Sequence, residues 1–120
     1  MHESIGSLVG DRSLVVLEST ARARDSVRVL LDQGRVAAPV RGESGALVGV
    51  VSIRDLLRAG HEDTVALHTR LGLLAANADE SLVDVRHRLL ASRHAHLLVK
   101  LGDEPIAFFD GLDLARHAVA

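Results

Sequence analysis

Apolar and polar positions alternate along the chain in an order that occurs twice. Residues 14–17 form a short apolar, β-branched run, the pattern of a buried strand. Ala23, Val27, Leu30 and Leu31 then recur at helical spacing, with Arg24, Asp25, Arg28 and Asp32 on the other faces. Gly34 follows where a helix commonly stops on a left-handed residue. Residues 36–40 read as a second strand, and Pro39 inside it points to a strand end, an edge or a bulge. Gly42 to Gly45 is a turn. Residues 47–51 read as a third strand, and Ser52 opens a helix that stops before Gly60.

The second half gives the same order. Residues 71–75 read as a strand, and Ser81 caps a helix carrying Leu82, Val85 and Leu89, with Asp84 as its capping partner. Residues 95–99 are a strand, Gly102-Asp103 a turn and residues 106–109 a strand, and a last helix starts at Asp110. A gap-free offset of 58, Asp113 minus Asp55, also pairs Val27 with Val85, Arg28 with Arg86 and Leu31 with Leu89. It further pairs Arg35 with Arg93, Ala37 with Ala95, Leu56 with Leu114 and Arg58 with Arg116. The expected fold class is therefore α/β (α+β): two tandem β-α-β-β-α repeats over residues 1–60 and 61–120, each with its own lead-in segment. Neither half is long enough to bury a core alone, so the copies are expected to pack together.

Composition narrows the function classes. At 48% hydrophobic and 25% charged, a packed core is within reach and disorder is excluded. The net charge of −2 gives no electrostatic reason to expect nucleic acid or an anionic membrane as partner. Phe108 and Phe109 are the only aromatics besides histidine, so a stacking platform for single strands lacks its main ingredient. The absence of cysteine removes disulfides, thiolate nucleophiles and Cys-based zinc sites, and fits a cytoplasmic protein. No apolar run reaches spanning length, and no signal-peptide pattern is present. Arg22, Arg24 and Arg28 give the first helix a basic side that Asp25 and Asp32 interrupt, the pattern of a solvated face.

The stretch Gly49-Val50-Val51-Ser52-Ile53-Arg54-Asp55-Leu56, preceded by Gly34 and Ala38-Pro39-Val40 and set in a tandem repeat, resembles the cystathionine-β-synthase (CBS) domain family. Two copies in a row resemble its paired form, the Bateman module. The first copy matches well and the second diverges. The resemblance implies a regulatory module that binds an adenosyl ligand (AMP, ADP, ATP or S-adenosylmethionine) and pairs into a homodimer. The physical chemistry of the residues fits. Ser52 stands at a helix start, where free N–H groups favour an anion, and its hydroxyl adds a donor. Asp55 can accept from two ribose hydroxyls, and Arg54 can meet a phosphate in bidentate fashion. Val36, Ala37, Ala38 and Pro39 would supply an apolar wall and backbone groups for an adenine edge. Gly49 would permit close approach of a backbone. Ser-x-x-Asp is equally a plain capping arrangement, and Arg54 equally a solvated helix residue.

In the second copy Asp110 replaces Ser52, Ala107 replaces Gly49, and Leu97 stands opposite Pro39 by the offset. A carboxylate at the helix start would repel a phosphate, whereas Asp113 is retained for ribose. A second pocket on Asp113 is thus expected to be impaired for nucleotides or to take an uncharged or cationic adenosyl ligand. His94 and His96, two apart on one strand face, correspond by that offset to Val36 and Ala38. They can line the second pocket and make it pH-sensitive, share a metal with His87 or His117, or be structural. No metal motif is present, and no metal site is assigned.

Three functions compete. One is a stand-alone sensor that binds its ligand between the repeats and modulates an effector protein. Another is a dimerisation or docking module with a vestigial ligand site. The third, an enzyme, is set aside because no nucleophile–base pair, carboxylate pair or phosphate loop is evident.

Overall fold

The computed structural model describes residues 3–9, 14–92, 96–110 and 113. The chain divides into two compact units, Val15–Leu73 and Met1–Leu14 with Leu74–Ala120.

In the contiguous unit a four-stranded sheet runs in the order β1-β2-β3-β4, from β1 (Leu17–Glu18), β2 (Ala37–Arg41), β3 (Leu47–Ser52) and β4 (Arg70–Leu71). β1 is parallel to β2, and the other two pairings are antiparallel. Helix α1 (Ala23–Asp32) buries Ala23, Ser26 and Leu30, one stripe at helical spacing, and the chain leaves it through Gly34 at φ 64°. Helix α2 (Ile53–Leu57) buries Leu56. Leu17, Leu30, Val40, Val51, Leu56 and Val65 meet in one core, where each full burial stabilises by roughly 1.5–3 kcal/mol. Pro39 lies inside β2 opposite Val50, but β1 pairs only with Val40 and Arg41, and a bulge follows at Val40/Arg41. The imide, which cannot donate, therefore sits where β2 has a sheet neighbour on one side only.

The second unit holds a three-stranded sheet of β5 (Ala75–Asn77), β6 (Leu97–Leu101) and β7 (Glu104–Phe109), and helix α3 (Leu82–Ala91). Ser81 caps α3, its hydroxyl accepting from the Asp84 N–H at 3.1 Å, as the sequence predicts. Gly102 turns the β6–β7 hairpin at φ 62°. Ile5, Val85, Leu97, Val99 and Phe109 form the core. The helix expected from Asp110 is seen at Asp113, and its continuation lies outside the described residues.

Two expectations change. The predicted strand at residues 71–75 divides at Gly72, whose φ is 101°: Arg70–Leu71 joins the first sheet, and Ala75–Asn77 starts the second. The strand at 14–17 contracts to Leu17–Glu18.

The repeat is real in architecture, but its register is not gap-free. Val40 pairs with Leu17 and Gly49, and Val99 pairs with Ala76 and Ala107; both bulges follow at the next residue. The offset is thus 59 for β1 and β2 (76 minus 17, 99 minus 40) and 58 for β3 (107 minus 49). Helices α1 and α3 also stand 59 apart (82 minus 23). The stretch from Val40 to Gly49 is one residue longer than that from Val99 to Ala107, and that residue absorbs the difference. Ser26, not Val27, is the counterpart of Val85, and Leu30 that of Leu89.

The lead-ins also differ from the expected boundaries of 1–60 and 61–120. The 3-10 turn Val65–His68 belongs to the first unit: Val65 N–H donates to Ala21 O, Ala66 N–H to Ser19 O, and Ala23 N–H to Asp63 O. The 3-10 turn Ile5–Leu8 makes the equivalent bonds in the second unit: Ile5 N–H to Glu80 O, Gly6 N–H to Ala78 O, and Leu82 N–H to Glu3 O. Each lead-in completes the copy that it does not directly precede, because its amides and carbonyls find their partners at that copy's helix entry.

Candidate functional site

The end of β3 and the start of α2 gather the first-copy residues. Ser52 closes β3 opposite Ala37, and Ile53 N–H donates to Val36 O at 2.8 Å, which ties the helix entry to β2. The Ser52 hydroxyl accepts from Asp55 N–H at 3.1 Å, so the capping role is present. A hydroxyl that accepts still has its own O–H to donate. The Asp55 side chain is 18% exposed, and its Oδ2 lies 3.5 Å from Arg70 Nε.

Val36, Ala37, Ser52 and Asp55 therefore come together. Of the wall residues, only Val36 is exposed; Ala37, Ala38 and Pro39 are buried, with Ala38 packed into the core. Arg54 is exposed on α2. Gly49 does permit a close backbone approach, and the backbone is that of β4: a Cβ there would collide with the Arg70 carbonyl and stand 2.8 Å from Thr69 Cγ2. Sequence reasoning missed Arg70. Its position lies in what reads as a lead-in, and only the Val50–Arg70 pairing brings it to Asp55.

In the second copy, Asp110 and Asp113 are each only 5% exposed. Asp110 N–H donates to Asp113 Oδ2 at 3.1 Å, and Asp113 N–H to Asp110 Oδ1 at 3.0 Å. Asp110 Oδ1 thus takes the seat that Ser52 Oγ has in the first copy. The corrected register makes His96 the counterpart of Ala37, Leu97 that of Ala38 and Leu98 that of Pro39, one place from the sequence alignment. His96 is half-buried, its ring 5.6 Å from that of Phe108 at a tilt of 37°. His94 lies outside the described residues. Among the described residues, no group of three or more His, Asp or Glu is placed to hold a metal ion.

A further polar cluster was not foreseen. Asp63 Oδ2 accepts from Gly60 N–H at 2.8 Å and lies 2.8 Å from His68 Nε2. The His68 hydrogen bond first, then the Gly60 N–H, hold the Asp63 carboxyl below its ordinary value. A sequence clue existed in the five-residue spacing across a turn, but nothing in periodicity marks it.

Residues 5–62 match the family model of the CBS domain. No curated protein matches the chain. The solved structure of the CBS-pair protein CBSX2 from Arabidopsis thaliana is 21% identical at a TM-score of 0.77, covering 99% of this chain and 96% of that one. CBSX2 in complex with AMP is 22% identical at 0.74, covering 97% and 96%. A CBS-domain-containing protein from Agrobacterium tumefaciens is 14% identical at 0.80, covering 98% and 95%. At these identities the likeness is one of fold.

Proposed function

We infer, from a chain that carries a CBS domain over residues 5–62 and has the fold of CBS-pair proteins, that it is a regulatory module that binds an adenosyl ligand beside Ser52 and Asp55. The observation that carries this reading is the Asp55 carboxylate in the first turn of α2, beside Arg70, with Ser52 at the end of β3 capping the Asp55 N–H. In this reading Asp55 accepts from the ribose hydroxyls, and the Ser52 O–H and the exposed Arg54 serve a phosphate. Val36 and the backbone of Ala37 and Ala38 border the adenine, and Pro39 shapes the strand beneath it. The AMP complex of CBSX2 supports AMP, ADP or ATP as the ligand class, with S-adenosylmethionine, which carries no phosphate, as the alternative. The second pocket, with Asp113, His94 and His96, takes no phosphate, because two buried carboxylates already stand there.

The regulated activity resides on an effector protein, in the cytoplasm, and the chain itself is not an enzyme. It works as a homodimer: Leu31 on α1 and Leu57 on α2 are exposed in the contiguous unit, and Leu90 on α3 is exposed in the other, apolar side chains that a second copy would cover. No helix among the described residues is long and apolar enough to cross a membrane. A clean monomer by light scattering at micromolar concentration would contradict the dimer.

A second reading is a docking module with a vestigial site, favoured by the Ser52–Asp55 bond, which is complete as a cap without any ligand. Calorimetric titration with AMP, ATP and S-adenosylmethionine decides between them. Saturable binding that Asp55→Ala abolishes supports the sensor; no binding of any of the three supports docking.

A further inference from the structure

The ion pair between Arg70 and Asp55 raises a question of charge. A phosphate-bearing ligand seated beside Ser52 brings its negative charge next to a carboxylate that is 82% removed from solvent, as its 18% exposure states. Two like charges at such range disfavour each other unless a cation stands with them. In the first copy that cation is present. Arg70 Nε lies 3.5 Å from Asp55 Oδ2, and the arginine side chain is 82% exposed. The remaining N–H donors of the fork are therefore open to the solvent side.

Its backbone, by contrast, is fixed. Val50 pairs with Arg70, Gly72 N–H donates to Val48 O at 3.0 Å, and Gly49 admits β4 at close range. A rigid strand thus holds a flexible guanidinium at the rim of the site.

Resting on the adenosyl reading above, we propose that Arg70 is a binding residue of the first-copy site and that it selects phosphate-bearing ligands over uncharged or cationic ones. Asp55 turns to the ribose hydroxyls, and the outward N–H groups of Arg70 take a phosphate oxygen while Nε stays with the carboxylate. The site then favours a nucleotide over adenosine or S-adenosylmethionine. The second copy holds two buried acids at the equivalent helix start and has no share in this selection.

The test is calorimetry of the full chain with AMP, adenosine and S-adenosylmethionine, for the wild type, Arg70→Ala and Arg70→Lys, at two salt concentrations. The wild type is expected to bind AMP about tenfold more tightly than adenosine, the order of a charge-assisted hydrogen bond. Arg70→Ala should weaken AMP about tenfold, leave adenosine within roughly twofold, and flatten the salt dependence of AMP binding. Arg70→Lys should recover part of the AMP affinity. Because the side chain is exposed, an unchanged urea midpoint shows that each variant is folded. Arg70→Ala binding AMP as well as the wild type, or better, overturns the proposal and leaves the adenosyl reading standing. A wild type that prefers adenosine or S-adenosylmethionine does the same. A wild type that binds none of the three overturns both.

Discussion

Asp110 and Asp113 cap each other: each carboxylate accepts the other's backbone N–H, at 3.0 and 3.1 Å, while both are nearly excluded from solvent. In the first copy the same two positions hold Ser52 and Asp55: the Ser52 hydroxyl accepts from Asp55 N–H, and the Asp55 carboxylate lies beside Arg70. The copies share a backbone plan and differ in the charge at the helix entry.

Asp110→Ser should therefore change stoichiometry as well as stability. It keeps an acceptor for the Asp113 N–H and removes one buried negative charge. AMP titration is expected to give one site per chain in the wild type and a second, weaker one in Asp110→Ser. Two equal sites in the wild type would contradict the difference. Asp110→Ala, which leaves the Asp113 N–H without that acceptor, should cost about 1–3 kcal/mol in urea unfolding.

Ser52→Ala and Asp55→Ala separate capping from binding. Ser52→Ala removes the acceptor for Asp55 N–H and should cost roughly 0.5–2 kcal/mol. Asp55→Ala keeps that cap and should change the unfolding midpoint little, yet remove the ligand-induced stabilisation. At a hundredfold excess over Kd that stabilisation is about 2.7 kcal/mol. Thermal shift with and without AMP reads both.

The exchanged lead-ins predict where truncation hurts. Ile5 and Val65 are fully buried in different units. Ile5→Ala should cost about 2–5 kcal/mol, and Val65→Ala roughly 2 kcal/mol. If Ile5→Ala is neutral in urea unfolding, the turn Ile5–Leu8 does not dock on the segment between β5 and α3 in solution.

The Asp63 cluster sets an acid dependence. Its carboxyl is lowered from 3.8, so the stabilisation it gives is present above that unfolded value and lost as pH falls through the lower folded one. Wild type should exceed Asp63→Asn in stability at about pH 5, and the gap should close in stronger acid as the carboxyl protonates. A gap that widens as pH falls would contradict the direction of the shift.

Much of the fold was legible because local chemistry specifies it. The stripe of Ala23 and Leu30, the positive-φ glycines at 34 and 102, and the Ser81 cap all read from a few neighbouring residues. What escaped was long-range. A single extra residue between Val40 and Gly49 displaces every earlier pairing by one, and one residue on a strand is the difference between two faces. That is why His96 falls at Ala37 and not at Ala38. The run at 71–75 looked continuous because periodicity does not say which sheet a residue joins. The Ser52 cap on Asp55 N–H was legible from spacing; the Arg70–Asp55 ion pair was not, since only strand pairing brings the two together.

The division of the chain also dictates an order of events during synthesis. Val15–Leu73 is contiguous, so all of its pairings are available once β4 has left the ribosome. Ile5 emerges earlier than any of it, yet its backbone acceptor is Glu80, which comes later. Ile5 must therefore wait, its apolar side chain uncovered, while a complete unit closes behind it, and the contacts local to that unit form ahead of those that Ile5 makes.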